Sequence, residues 1–433
     1  MLSSVIVKSV PRSLVFVLIA LGVVGSLGAC AKKSIPKSSL LAPGAGNVPT
    51  AVDARIRFWK SRLPRDPEDS TAAEQLASAY LHKAKTTGDF GYYIEAERLL
   101  TPIYEFDPDN YLALTLLASA KAAQHKFLEA LILSEKAVTL KTEGATAYAL
   151  LFDTKLEIGD LTGAEQALAD LERRQPGFPT LTRRANLMVA KGDLPKAFSS
   201  LESALALAEV EQLSSDDLAW GHVRIGALFF DSGRYTEADK HYQAALRFSP
   251  ESYLVFEHIA ELLCAKGQFT DALALYDKVI AKSASPEFFE AIAQVYRKMG
   301  RNAEALKSLD QAENAGLKHL KAGDIGYYRF LANFYADRKL NPELALKYAR
   351  ADLEVRHDAH TYETYAWALY RNGEFRSAAQ AMETALASGI EDALVHRRAA
   401  EIFAARGNEQ RVGQHRDSKG TPHSEFIHEQ RPF

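Results

Sequence analysis

The chain has 433 residues, of which 47% are hydrophobic and 25% charged, and its formal net charge is −3. This is an ordinary globular composition, and without a basic balance it gives no support for a nucleic-acid partner. The only two cysteines, Cys30 and Cys264, exclude a disulfide framework and a cysteine-rich metal site.

The segment 1–29 has the plan of a secretory signal peptide. Lys8 and Arg12 precede a short apolar stretch, residues 14–25, and small residues follow it. This stretch is shorter than the about 20 apolar residues that cross a membrane. The sequence therefore predicts an export signal at 1–29, with an uncleaved signal anchor as the alternative.

The end of this segment, Leu27-Gly28-Ala29-Cys30, resembles the lipobox of bacterial lipoproteins. In that family the cysteine is acylated and becomes the first residue of the mature chain, so the resemblance implies a lipid anchor on Cys30. Residue 31 is Ala rather than Asp, which in enterobacterial-type sorting implies the periplasmic side of the outer membrane. The alternatives are the inner membrane, or a secreted protein in which Cys30 has no special role.

The next two segments connect the predicted signal and lipid anchor to the rest of the chain. Residues 30–50 are rich in Ser, Pro, Gly and Lys and have no periodic apolar face, which predicts a flexible tether. In residues 51–66, Ile56, Trp59 and Leu63 share one helical stripe, which predicts a helix that caps the following domain. The basic residues of this segment leave a membrane-surface helix as the alternative.

From residue 67 to residue 412 one pattern recurs about every 34 residues. Two intervals are longer by about two helical turns, and the extra residues lie at 204–217 and 314–324. We call the small residue that marks each unit its anchor. The anchors are Ala96, Ala130, Ala164, Ala197, Ala238, Ala272, Ala305, Ala345, Ala378 and, more weakly, Val412.

Each unit also carries marks that predict a pair of antiparallel helices. A glycine five residues before the anchor would end the first helix in the left-handed conformation. Small residues would let the two helices approach closely, and one such pair cannot bury its apolar face alone, so the units must stack. The glycines are Gly159, Gly192, Gly233, Gly267, Gly300 and Gly373, and prolines close units at Pro108, Pro176 and Pro250.

The unit that ends at Pro250 resembles the tetratricopeptide repeat signature, through His222, Ile225, Gly226, Phe229, Ala238 and Tyr242. His222 stands where the family favours Trp. The resemblance covers residues 67–412 and implies an all-α fold, an α-solenoid coiled as a right-handed superhelix of about nine to ten helix hairpins. The first unit, KAKTTGDFGYYIEAERLL, is expected to have a lengthened joint, and residues 413–433 form a polar tail.

The resemblance also implies where a partner would bind. In the family the first helices line a concave groove, and the residues not used for packing contact the partner. Carried over unit by unit, these are Asp153, Trp220, Phe230, Asp231, Glu257, Glu261, Glu290, Gln294, Arg297, Arg329, Asn333, His360, Glu363, Trp367, Tyr370 and Arg371. Two alternatives stay open: Trp220 and Trp367 could be packing residues, and the acidic residues could be a solvated face.

The chain lacks the common catalytic and nucleotide-binding motifs. His357 and His360 are one turn apart but have no third ligand at supporting spacing, so no metal and no cofactor are predicted. Cys264 is interpreted as a small buried or groove-lining thiol. The sequence thus predicts a non-enzymatic scaffold of the bacterial envelope that holds a protein partner, for example in pilus, secretion or polysaccharide-export machinery. A groove-based enzyme or small-ligand receptor, and a passive spacer, are the alternatives.

Overall fold

The computed structural model describes residues 51–63, 69–387 and 393–416, and in these ranges the regular structure is helical throughout, with no strand. The helices are α1 (Ala51–Arg62), α2 (Ser70–Thr87), α3 (Gly91–Phe106), α4 (Tyr111–Ala123), α5 (Phe127–Leu140), α6 (Ala145–Glu157), α7 (Leu161–Arg174), α8 (Phe178–Ala190), α9 (Leu194–Val210), α10 (Ser215–Asp231), α11 (Tyr235–Phe248), α12 (Tyr253–Ala265), α13 (Phe269–Lys282), α14 (Pro286–Lys298), α15 (Asn302–Lys321), α16 (Tyr328–Asp337), α17 (Pro342–Val355), α18 (Ala359–Arg371), α19 (Phe375–Ala387), α20 (Ala393–Ala405) and α21 (Glu409–Arg416). A short 3-10 turn, Ile325–Tyr327, precedes α16.

The helices pair in chain order into ten hairpins, from the first hairpin, α2 with α3, to the tenth, α20 with α21. The second helix of each hairpin then packs on the first helix of the next, as α5 does on α6 and α17 on α18. Each hairpin therefore packs mainly on its neighbours in the chain. The fold is an α-solenoid, as the repeat pattern predicts.

The joint glycines have the conformation that the sequence predicts. All six predicted joint glycines have positive φ, from 71° at Gly233 to 84° at Gly159. In the second and eighth hairpins a non-glycine residue takes this place, His125 with φ 60° and Leu340 with φ 52°. The left-handed residue ends the first helix and lets the chain turn back.

Small residues set the close crossing within a hairpin. Ala238 is fully buried, and a Cβ added to Gly226 would lie 2.5 Å from a ring carbon of Tyr242. Since real Cβ atoms do not approach other atoms so closely, only glycine fits there without movement of the tyrosine. The regular placement of small residues in the sequence follows from this contact.

The two longer intervals lengthen helices. α9 and α10 have 17 residues each and α15 has 20, whereas α11 has 14 and α12 has 13. The prediction that the first hairpin has a lengthened joint is wrong, because its joint is only residues 88–90. This is as short as the other joints, and α2 instead runs for 18 residues. The amide of Gly88, at φ 70°, caps the carbonyl of Ala84, so the glycine decides where that helix ends.

His222, where the repeat family favours Trp, packs against a second histidine in the same hairpin. Its Nδ1 lies 3.1 Å from Nδ1 of His241, so one of these atoms donates to the other. His396 and His415 make the same contact, at 2.9 Å, in the tenth hairpin. Burial, followed by the neighbouring His241, lowers the pKa of His222 to about 4, so the His222 ring is uncharged at neutral pH.

The ends of the described stack are covered by α1 and α21. Ile56, Trp59 and Leu63 pack against the apolar core of the first hairpins. α21 continues to Arg416, beyond the predicted end of the repeats at residue 412. The predicted signal, Cys30, the tether and the tail from residue 417 onward lie outside the described residues. No helix in the described ranges is both long enough and apolar enough to cross a membrane.

Candidate interaction face of the first helices

The first helices of the hairpins form one layer of the solenoid. Beyond the contacts between chain neighbours, the main contacts join one first helix to the next, as in α2 with α4, α4 with α6, and α16 with α18. Because these helices are closest to one another, they lie on the tighter side of the coil. We call the surface of this layer the inner face.

A buried ion pair joins the third and fourth hairpins on the inner face. Arg183 on α8 donates from Nε to Oδ1 of Asp153 on α6, at 2.9 Å, and from Nη2 to Oδ2, at 2.7 Å. Arg183 is 1% exposed and Asp153 is 3% exposed. Burial raises the pKa of Asp153 to about 6, although Arg183 acts in the opposite direction. The predicted groove residue Asp153 is therefore bonded within the chain.

The same kind of contact recurs one hairpin later. Arg224 on α10 donates to Oδ1 of Asn186 on α8, at 2.9 Å. Counted back from the anchors Ala197 and Ala238, Arg183 and Arg224 hold the same position in their units. The arginine at this position thus reaches back to the first helix of the preceding hairpin.

Arg398 holds this position in the tenth hairpin and organises the C-terminal part of the inner face. It donates to Glu363 at 2.7 Å, to Asp337 at 2.6 Å and to Asn333 at 3.0 Å. Its guanidinium also lies 4.9 Å from the ring centroid of Trp367, whose Nε1 donates to Asp337 at 2.8 Å. Three consecutive first helices are connected through this one side chain.

Two further arginines form ion pairs on this face. Arg338 pairs with the predicted groove residue Glu290, and Arg329 is a predicted groove residue itself. Arg338 donates to Glu290 at 2.5 Å, and both side chains are partly buried. Arg329 donates to Asp352 at 3.1 Å and to Asp358 at 2.6 Å. Arg329 therefore connects the start of the eighth hairpin to the ninth, instead of pointing freely at a partner.

The middle of the inner face is acidic and contains a histidine that sequence reasoning missed. Glu257 is 3% exposed, Glu261 is 0% exposed and His258 between them is 0% exposed. Nδ1 of His258 lies 3.3 Å from Glu257 and 3.6 Å from Glu261, and the ring stacks on Tyr242. Within the described residues these three can bring one ligand atom each within 4.8 Å of one another, which is a geometry that could hold a cation.

The remaining predicted groove residues lie in different environments. Phe230 and Trp367 belong to the apolar core, at 2% and 6% exposed, so the interpretation as surface residues is wrong for both. Trp220 is half-buried and lies edge-on to Phe178. Asp231 is buried, Arg297 is exposed, and Gln294, His360, Tyr370 and Arg371 are half-buried.

The three arginines that reach back along the inner face were not among the predicted residues, and their signal is the shared position in the repeat. Arg183, Arg224, Arg398 and also His258 each stand at the same distance before the anchor of their unit. A basic residue at a fixed place in four separate units is visible in the sequence. The partners of these residues are not visible in the sequence, because the acceptors lie on the preceding hairpins.

The three residues considered for chemistry, Cys264, His357 and His360, have ordinary surroundings. Cys264 is 2% exposed, and burial, with smaller effects of Glu261 and Glu257, raises the pKa of its thiol to about 12. A thiol that stays protonated is a poor nucleophile, as the interpretation of a buried thiol predicts. His357 is exposed and His360 is half-buried at the start of α18.

Comparison with known proteins identifies the repeats. Residues 229–295 and 365–411 match family models described as tetratricopeptide repeat, so these segments are tetratricopeptide repeats. The chain is 26% identical over 215 residues to the TPR repeat-containing protein YpiA of Bacillus subtilis, covering 48% of this chain and 47% of that protein. It is 30% identical over 119 residues to the human Superkiller complex protein 3, covering 26% of this chain and 8% of that protein.

A tetratricopeptide repeat protein from Parabacteroides merdae is similar in structure, with a TM-score of 0.42 and 21% identity, covering 57% of this chain and 98% of that one. The chain spans about half the length of YpiA and a small part of the human protein.

Replacing Arg183 with Met should leave Asp153 buried without its cation and destabilise the protein by about 3–5 kcal/mol at pH 7. The pKa of Asp153 would rise further above its value in the unfolded chain, so the folded state would bind the proton more readily. The loss in the free energy of unfolding should therefore become smaller as the pH falls from 7.5 to 5. Urea denaturation of both proteins at each pH measures this. The control is Arg184→Met, since Arg184 pairs with Glu172 at the surface and should cost less than about 1 kcal/mol. Equal, pH-independent losses in both variants would contradict the prediction.

Replacing Trp367 with Ala should remove a core side chain and leave the carboxylate of Asp337 without one of its donors. We expect a loss of about 3–5 kcal/mol, confined to the C-terminal hairpins because each hairpin depends on its neighbours. Hydrogen exchange should show lost protection in α16 to α20 and unchanged protection in α8 to α11. Trp220→Ala, at a half-buried position, is the matched control and should have a smaller effect, centred on α8 to α10. Unchanged protection in the Trp367→Ala variant would place this side chain outside the core.

Proposed function

We propose that this protein is a non-enzymatic interaction scaffold that holds a protein or peptide partner against its inner face. The observation that carries the proposal is the composition of that face. From the third to the tenth hairpin, arginine contacts between hairpins hold the polar side chains of the first helices, at Asp153, Asn186 and Glu363. The aromatic rings of Trp220 and Tyr370 are half-buried on the same helices. Rigidly held aromatic and charged groups are suited to recognition, because little conformational entropy is lost when a partner binds.

The second part of the proposal is the localisation of the protein in the cell. The lipobox-like sequence before Cys30, the basic and apolar segments in front of it and the alanine at residue 31 support a lipoprotein on the periplasmic side of the outer membrane. Two or more acyl chains give stable anchoring where one chain does not. In this setting the partner would belong to an envelope assembly machine, such as pilus, secretion or polysaccharide-export machinery.

A photo-crosslinking amino acid at position 297 tests the binding face. Arg297 is the exposed member of the predicted groove residues, near the end of α14, and Lys307 is exposed on α15, the second helix of the same hairpin. We expect irradiation of intact cells to give a reproducible protein adduct from position 297 and none from position 307. Adducts of equal yield from both positions, or none from position 297, would contradict binding at the inner face.

The Cys30→Ser variant tests the address. Without the thiol no acyl chain can be attached, so the protein should move from the membrane fraction to the soluble periplasmic fraction and should no longer incorporate radiolabelled palmitate. Ser39→Ala, in the predicted tether, is the control and should fractionate as the unaltered protein does. Membrane association that survives in Cys30→Ser would show that the anchor is not the lipid.

A further inference from the structure

Joints of the first three hairpins contact hairpins that lie five or six units further along the chain. Gly88, in the joint of the first hairpin, lies beside Tyr253, the first residue of the sixth hairpin. A Cβ on this glycine would be 3.8 Å from the tyrosine hydroxyl. A Cβ on Gly159, in the joint of the third, would be 3.1 Å from Cα of Asp358, which caps the ninth. Successive turns of the coil therefore touch each other.

The tightest of these contacts joins the second and eighth hairpins. The ring of His125 lies directly on the backbone of Gly326, where any Cβ would overlap it. Nε2 of the same ring lies 3.9 Å from Oδ1 of Asp324, which also caps the 3-10 turn through the amide of Gly326. A Cβ at 326 therefore has to displace the His125 ring, which is itself held between Phe127 and Asp324, or separate the two turns.

Charged and aromatic groups continue the contact beside this pair. The guanidinium of Arg356 lies 5.5 Å from the ring centroid of Phe127, the first residue of α5, and the ring is 1% exposed. Burial raises the pKa of Glu157, at the end of α6, to about 8, while the charges of Arg356 and Asp358 act on that pKa in opposite directions. Arg356 and Phe127 are both buried, although one follows α17 and the other begins α5.

We propose that these contacts form a latch, in which the first three hairpins dock on hairpins six to nine and close the coil around its inner face. The contacts reach the inner face at Asp358, on which Gly159 packs and which accepts a hydrogen bond from the predicted groove residue Arg329. A partner that binds at Arg329 therefore has to displace the early hairpins. The latch must then open before a partner binds. The apparent affinity for the partner is therefore lowered in proportion to the fraction of molecules that are open. That a protein or peptide partner enters the coil rests on the proposed function. The existence of the latch does not.

The first experiment opens the latch and measures the distance between its two sides. Nitroxide labels at Leu128→Cys and Glu354→Cys, two exposed positions on α5 and α17, report the separation by electron double resonance in the full chain with Cys30→Ser. Cys264 is buried and should not label. Gly326→Ala should lengthen and broaden the distance distribution, and addition of His125→Gly should restore the short distance because the ring is gone.

The control is Gly413→Ala, since nothing lies within 4 Å of a Cβ at that glycine. It should leave the distance unchanged. Rescue by His125→Gly separates a true steric opening from local unfolding of the eighth hairpin, which the second substitution would not repair. A short distance in Gly326→Ala, or the absence of rescue, overturns the latch.

The second experiment locks the latch. His125→Cys with Gly326→Cys places two thiols across the contact, since a Cβ at 326 would overlap the space of the His125 ring. Oxidation should form this bond and lower the yield of the adduct from a photo-crosslinker at position 297 by about tenfold or more, and reduction should restore the yield. Each single-cysteine variant is the control and should show no such effect.

The outcomes separate the two proposals. A failure to form the disulfide overturns the latch. An adduct yield that is the same in the oxidised and reduced protein overturns its role as a gate. If position 297 gives no adduct in the reduced protein or in Gly326→Ala, the proposed function fails, while the distance measurement still decides whether the latch exists.

Discussion

The structure depends on one constraint: a single helix hairpin of this length cannot bury its own apolar surface. Each hairpin therefore needs a neighbour, and the described part of the chain contains ten hairpins in succession, with α1 covering the first. The crossing within a hairpin is kept tight by small residues such as Gly226 and Ala238. Because the same requirement applies to each unit, the repeat period of the sequence and the geometry of the stack have the same origin.

The inner face shows that polar residues in a solenoid can serve the fold before they serve a partner. Asp153 and Glu363 are nearly fully buried, and each is bonded to an arginine of the next hairpin. Burying charges costs free energy, and only good geometry with further hydrogen bonds offsets that cost. The arginine ladder therefore fixes the register between neighbouring hairpins, as well as the shape of the surface that a partner would meet.

Contacts between distant hairpins add a second level to the stack. In a simple solenoid each unit contacts only its neighbours, and the coil can flex along its length. Here the joints of early hairpins meet the beginnings of later ones, at His125 with Gly326 and at Gly159 with Asp358. The joints thus have two functions, since they turn the chain within a hairpin and form the surface on which the next turn of the coil packs.

The sequence by itself determined the all-helical fold, the hairpin period, the joint glycines and the two longer intervals, because these follow from local conformation and from spacing along one chain. It could not determine which polar residues of the first helices are free: Trp367 and Phe230 lie in the core, and Arg398 spans three hairpins. It also misplaced the end of α2. Only the tertiary structure decided these points, because burial, ion pairing and the contact between turns depend on the curvature of the coil, which is the sum of many small packing angles and is not encoded in any one repeat.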